Sequence, residues 1–324
     1  MTTTAQTTRT EFTPFPLAGI IPDAFPEVDL YLPAVDVERA PLYRARGTQV
    51  DAKDMQALRS RGIDELWVLG DDQAEISAFL ANHLGTILAN DANPPRERVK
   101  LLNQVVAQTL RDSMTCEDPA SAVTATAQLA EHLVTISLHS DLAIRDVAKV
   151  AKHDFCTFTH SANVACYSTL LARLMGVTDE AELREIAVAG MLHDLGKLEI
   201  PHAILTKPTK LTNEEFGIIK LHPTRGFQML RNKLNPAQLM MVYQHHEKID
   251  GTGYPVGLVG NEIHFWGKIC AVADVFEALT GKRPYRRPNT ATEALTIMRR
   301  GAGSHFDREV LHRWQSNFIR EAAE

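Results

Sequence analysis

The sequence predicts an α+β chain, a small N-terminal α/β domain followed by an all-α helical bundle. Three observations predict it. Residues 15–92 mix short apolar runs of strand type with helical patterns. Residues 90–97 (NDANPPRE) have the Asn, Asp and Pro content of a linker. Beyond them apolar residues recur at helical spacing, first Leu101, Leu102, Val105, Val106 and Leu110, then Leu129, Leu133, Ile136 and Leu138.

The elements follow in order. Residues 1–14 are Thr-rich and polar and are expected to be flexible. Residues 29–35 (DLYLPAV) read as a short strand. Asp51 can cap a helix running through Leu58, which Gly62 then breaks. Residues 65–69 (ELWVL) are a second strand, and Asp71 or Asp72 starts a helix to about Leu88. Residues 93–149 form a helical connector, and residues 150–324 a bundle with polar residues set into its apolar faces.

Bulk composition narrows the function. A chain of 324 residues, 44% apolar, can fill two cores. The net charge of −6 and the lack of a long basic tract exclude a nucleic-acid coat. Four cysteines without CxxC spacing do not form a disulfide framework or a thiolate zinc site. The start MTTTAQTTRTEFTPF has no basic segment followed by an apolar run, so no signal peptide is expected. No run approaches the roughly 18 apolar residues a membrane helix needs, and a cytoplasmic location is expected.

The chemistry-bearing residues lie in the bundle. His160, the pair His193-Asp194, His222, the pair His245-His246 and Asp274 fall on different helices or helix ends. Bundle cores build metal sites by projecting side chains inward from several helices. Any one of these histidines, taken alone, is more often an ordinary core or surface residue. It is their joint order that carries the reading. Imidazole and carboxylate without thiolate suit iron, manganese or zinc. Consecutive helical residues diverge by about 100°, so His245 and His246 converge only if their helix ends there, as Asp250-Gly251 suggests.

Four segments appear in sequence: HDLGKLEIP at 193–201, HPTRG at 222–226, HHEKIDGTGYP at 245–255 and ADVFEALTGKRPYR at 273–286. In these segments the chain resembles the HD-GYP family, a branch of the HD-domain metal-dependent phosphohydrolases. The resemblance covers roughly residues 150–315. It implies an all-helical HD-type domain that binds two or three metals, often iron, and acts as a bacterial signalling phosphodiesterase on cyclic di-GMP. By the same resemblance, Asp194 bridges two divalent ions. His193, Asp274 and His160 hold one ion, and His222, His245 and His246 the other. Two such ions can clamp an in-line phosphoryl displacement and activate a bridging water.

The surrounding residues take roles in the same way. Lys197 serves the phosphate or leaving oxygen, and Tyr254 positions the dinucleotide. Arg283 and Arg286 suit phosphate oxygens through their fork geometry, while Arg287 stays in solvent. Asp250 stabilises its loop or a histidine tautomer rather than binding metal, and Gly253 and Pro255 stiffen that loop. Some relatives carry a Glu four residues before the first motif His, where this chain has Cys156. The expectation is therefore two metals, with iron first and manganese or zinc as alternatives. The expected substrate is cyclic di-GMP, cleaved to linear pGpG and onward to GMP. Two other readings stay open: a catalytically weak sensor or docking module, and a phosphodiesterase for another cyclic dinucleotide. The N-terminal domain carries no assignable motif and leaves regulation, a signalling partner or a homodimer contact open.

Overall fold

In the computed structural model the described residues are 12–22, 24–36, 39–90, 92–115, 119–138, 157–282 and 287–320. The chain divides into two compact units, Met1–Leu101 and Leu102–Glu324.

The first unit is built on a four-stranded antiparallel sheet of β1 (Phe12–Pro16), β2 (Leu30–Tyr31), β3 (Leu42–Arg44) and β4 (Glu65–Leu69), in the order β1-β4-β2-β3. Helix α1 (Ala52–Ser60) begins at the predicted cap, where Asp51 accepts from the Asp54 N–H, and it ends before Gly62. Helix α2 (Gln73–Leu88) closes the unit's core. In β4 the period of two is visible: Leu66 and Val68 are buried, and Glu65, Trp67 and Leu69 are half-exposed. On the other face of the sheet the Phe12 ring lies 4.9 Å from Tyr31 and 5.8 Å from Trp67.

Two local readings differ from the sequence expectation. Composition assigns Phe12 to Pro14 to the flexible lead, yet they are strand. Phe12 pairs with Leu69 and its ring covers Tyr31 and Trp67. The strand expected over 29–35 is only Leu30–Tyr31. Pro33 has no N–H to donate to a ladder, so pairing stops at the Leu32 N–H to Pro41 carbonyl bond.

The second unit is helical. Helix α3 (Pro95–Thr115) starts in the first unit and continues into the second, followed by α4 (Pro119–Leu138) and α5 (Thr157–Leu174). Then come α6 (Glu180–Leu192), a 3-10 turn (Leu195–Glu199), α7 (His202–Leu205), α8 (Asn213–Ile219) and α9 (His222–Leu230). Helices α10 (Pro236–Gln244), α11 (Phe265–Thr280), α12 (Ala291–Arg299) and α13 (Arg308–Arg320) complete it. Helix α6 packs on α4, α5 and α10, and α11 packs on α5 and α10. Tyr167, Phe276 and Trp314 lock α5, α11 and α13 together, with centroids 5.2–5.6 Å apart in edge-to-face pairs. Among the described residues no helix is long and apolar enough to cross a membrane.

Candidate metal centre

The site forms where several helices stop. Helix α6 ends at Leu192 with His193 as its C-cap, and α10 ends at Gln244 with His245 as its C-cap. His222 follows α8 by three residues and opens α9. Each of these histidines turns its Nδ1 onto the carbonyl three residues back: Gly190, Ile219 and Val242, all at 2.8 Å. Carbonyls at helix ends lack intrahelical partners, so the imidazole N–H satisfies one of them. A carbonyl can only accept, so each Nδ1 carries the proton and each Nε2 presents a lone pair to the interior.

Asp194 receives them. Its carboxylate lies 3.3 Å from His193 Nε2, 3.2 Å from His222 Nε2, 3.8 Å from His245 Nε2 and 3.5 Å from His160 Nε2. His160 comes from α5, with Nε2 3.3 Å from Asp274 on α11. The α10 helix ends before the histidine pair, and the two rings lie 4.2 Å apart. His246 Nδ1 is 3.9 Å from Asp274. Two donor groups result, Asp194-His222-His245-His246 and His160-His193-Asp194, and Asp194 belongs to both.

The chemistry of this donor set fits a cation. The Nε2 atoms of His222 and His245 lie 3.1 Å apart, with both Nδ1 protons already given to carbonyls. Among the described residues, His193 Nε2 and Asp194 Oδ1 are buried with no hydrogen-bond partner. Lone pairs converging without donors repel one another, and buried polar atoms left unpaired cost about 1–3 kcal/mol each. A divalent ion held by these residues would remove both penalties.

Electrostatics put most of the groups in the form a metal needs. Burial drives the His246 imidazole down to about 3, and burial with the neighbouring His246 and His193 pushes His245 well below its ordinary value. Burial alone would raise the Asp194 carboxyl, but Lys197 and His193 outweigh it and hold it well below the usual range. Asp274 is likewise lowered against burial, by its hydrogen bond and charge contact with His160. Neutral imidazoles and ionised carboxylates are the ligating states. His160 is the exception: burial opposes its charge, but Glu277, Asp194 and Asp274 raise it well above its ordinary value.

The rim is also defined. Lys197 Nζ donates to Asp194 at 2.5 Å while its side chain stays 30% exposed, so the ammonium can also meet a ligand from outside. The Tyr254 ring stacks on His246 at 4.7 Å, with Lys220 Nζ 5.4 Å from its centroid. Asp250 is exposed and accepts from the Thr252 N–H and hydroxyl, so its side chain serves the loop. Gly253 passes so close to the chain that a Cβ would sit 2.4 Å from the Lys248 nitrogen. Pro255 follows Tyr254 through a cis peptide bond. Arg283, Arg286 and Cys156 lie outside the described residues. Arg287 is exposed and pairs with Glu293 at 2.7 Å.

Sequence reasoning missed two carboxylates. Glu247 is 1% exposed and accepts backbone N–H groups from Val256, Gly257 and Leu258, tying the Tyr254 loop to the end of the histidine helix. Glu277 is 4% exposed and accepts a hydrogen bond from His160 Nδ1. Its signal was present: it follows Asp274 by three residues on an apolar helix, which places both acids on one face.

Comparison with known proteins agrees with this geometry. A family model described as "HD domain" matches residues 146–310. The chain is 31% identical over 290 residues to cyclic di-GMP phosphodiesterase PA4108 of Pseudomonas aeruginosa, covering 83% of this chain and 69% of that protein. It is 42% identical over 141 residues to the cyclic di-GMP phosphodiesterase response regulator RpfG of Xanthomonas campestris, covering 43% of this chain and 37% of that one. It is 41% identical over 155 residues to 3'3'-cGAMP-specific phosphodiesterase 3 of Vibrio cholerae, covering 47% and 33%. The chain thus spans under half the length of these last two relatives. In fold it is similar to Bd1817, an HDG"Y"P protein from Bdellovibrio bacteriovorus, with a TM-score of 0.66, 18% identity, and 96% of this chain and 100% of that one covered. The chain belongs to the HD-domain family, in its HD-GYP branch.

Proposed function

We propose that this chain hydrolyses one 3′–5′ phosphodiester of cyclic di-GMP, opening the ring to linear pGpG. One observation carries the reading: two buried His/Asp donor groups share a single carboxylate, Asp194. The relative matched over 83% of this chain carries cyclic di-GMP phosphodiesterase as its name, which supports the substrate.

In this reading His160, His193 and Asp274 would hold one divalent ion and His222, His245 and His246 the second, with Asp194 shared between them. The donor set suits iron, manganese or zinc, and the family resemblance puts iron first. When bound, such a pair polarises a phosphoryl oxygen and lowers the pKa of water. The protein's own groups do the rest. The Nδ1-to-carbonyl bonds keep the imidazoles aimed without reorganisation. Lys197, half out of the site, neutralises a phosphate oxygen. Tyr254 offers a flat face above His246 on which the dinucleotide rests. Arg283 and Arg286 clamp phosphate oxygens. Water adds to phosphorus, the P–O3′ bond breaks, and the 3′ oxygen leaves as a hydroxyl.

The test is chromatography of cyclic di-GMP incubated with iron- or manganese-loaded protein. Linear pGpG from the wild type and none from Asp194→Ala is expected. Loaded wild-type protein that leaves cyclic di-GMP intact overturns the proposal. A parallel incubation with 3'3'-cGAMP measures preference, and exclusive turnover of that substrate overturns the cyclic di-GMP assignment.

A further inference from the structure

One buried polar chain leads away from the cluster, and apolar packing gives no reason for it. Asn103 on α3 is 3% exposed, Asn163 on α5 is fully buried, and Glu277 lies beside them on α11. Asn103 Nδ2 donates to Asn163 Oδ1 at 2.7 Å, and Asn163 Nδ2 donates to Glu277 Oε1 at 3.3 Å. The other Glu277 oxygen accepts from His160 Nδ1. The direction of every bond is set from one end. A carboxylate only accepts, so Asn163 must turn its amide nitrogen to Glu277 and its oxygen to Asn103. The same bond holds a proton on His160 Nδ1, so that when the ring gives up its second proton to bind a metal the lone pair falls on Nε2, 3.5 Å from Asp194 and 3.3 Å from Asp274.

Buried amides and a buried carboxylate are expensive unless fully hydrogen-bonded, and apolar groups of the same volume would often be as stable or more so. We infer that Asn103, Asn163 and Glu277 are positioning residues that fix the tautomer and ring direction of His160 as a metal ligand, and that α3 is thereby part of the metal centre's support. The inference rests on the two-metal reading above. Outer partners of metal-bound histidines typically contribute about 10–100-fold in affinity.

The directionality gives a test that a merely structural role would not pass. Glu277→Gln keeps the shape, but it offers one acceptor and one donor. With its oxygen on His160, its amide nitrogen opposes the Asn163 nitrogen unless both asparagine amides turn over, which the unpartnered Asn103 Oδ1 allows; in either arrangement the carboxylate charge beside His160 is lost. Adding Asn163→Asp restores every pair. The carboxylate then at position 163 accepts from Asn103 and from the new amide at position 277, with the charge moved one residue outward. The measurement is Mn(II) titration of the metal-free full chain, with thermal midpoints of the metal-free proteins alongside. Wild type is expected to bind two ions. Glu277→Gln is expected to weaken one of them by roughly 10–100-fold, and the double variant to recover most of that loss. Asn103→Ala, at the far end, should weaken the same ion less than Glu277→Gln does, and it keeps the test valid if Glu277→Gln does not fold. Wild-type protein that binds no Mn(II) overturns the two-metal reading and the relay with it. Two-ion binding in wild type with unchanged affinities in the variants overturns the relay alone.

Discussion

Glu247→Gln should release the Tyr254 loop without touching a metal ligand. The Glu247 carboxylate is 1% exposed and accepts from Val256 at 2.8 Å, Gly257 at 3.2 and 3.0 Å, and Leu258 at 3.0 Å. Glutamine retains one acceptor oxygen, and its amide nitrogen then faces at least one of these N–H donors. Hydrogen bonds to a charged group contribute about 1.5–3 kcal/mol net, and a buried donor left unpaired costs about 1–3 kcal/mol. The loss is therefore about 2–4 kcal/mol, concentrated on residues 256–258. Local opening should become easier by about 30-fold or more, since each 1.4 kcal/mol is tenfold. Amide hydrogen exchange reads this directly at Val256, Gly257 and Leu258. On the proposed role of Tyr254, turnover of the proposed substrate cyclic di-GMP should show a raised KM, because the ring loses its fixed place over His246. Protection at these amides within threefold of wild type would refute the reasoning.

The other predictions concern stability. Gly196→Ala should lower the melting midpoint by about 6 °C or more, because a Cβ there would sit 2.0 Å from the His222 carbonyl oxygen and 2.5 Å from the Gly226 nitrogen, both backbone atoms. A midpoint within 2 °C of wild type in calorimetry contradicts the close packing of the 3-10 turn on α9. Stripping metal should also lower the midpoint, since free metal at 100-fold its Kd stabilises by about 2.7 kcal/mol per site. Equal midpoints with and without chelator count against bound metal. His305 is held below its ordinary pKa by burial and then by Lys248. It stays neutral in the folded chain at a pH where the unfolded chain takes up a proton. Stability should fall as pH drops below about 6.5, and His305→Gln should make that slope shallower in urea titrations at pH 5 to 7. An unchanged slope refutes the assignment.

The cluster was legible because its members are titratable residues at helix ends, where a chain-local pattern marks the place. HD at 193–194 and HH at 245–246 stand at two such ends, and the Asp51 cap and the β4 alternation were readable for the same local reason. Partners joined only in space were not legible. Asn103 and Asn163 are 60 residues apart, Asn163 and Glu277 are 114 apart, and nothing in either segment announces the other. Glu247 stands next to the histidine pair in sequence, but its role depends on the return of a loop nine to eleven residues later. Sheet order escaped for a similar reason: β1 pairs with β4 across half the unit, and the short β3 has no strong period of its own.

Whether Asp194 joins two metal ions is tested most directly by anomalous diffraction at the metal absorption edge, from crystals of metal-loaded protein. Two peaks about 3.5–4 Å apart are expected, one on each side of the Asp194 carboxylate. A single peak, a third peak of equal strength, or two peaks that do not share Asp194 would contradict the bridging role.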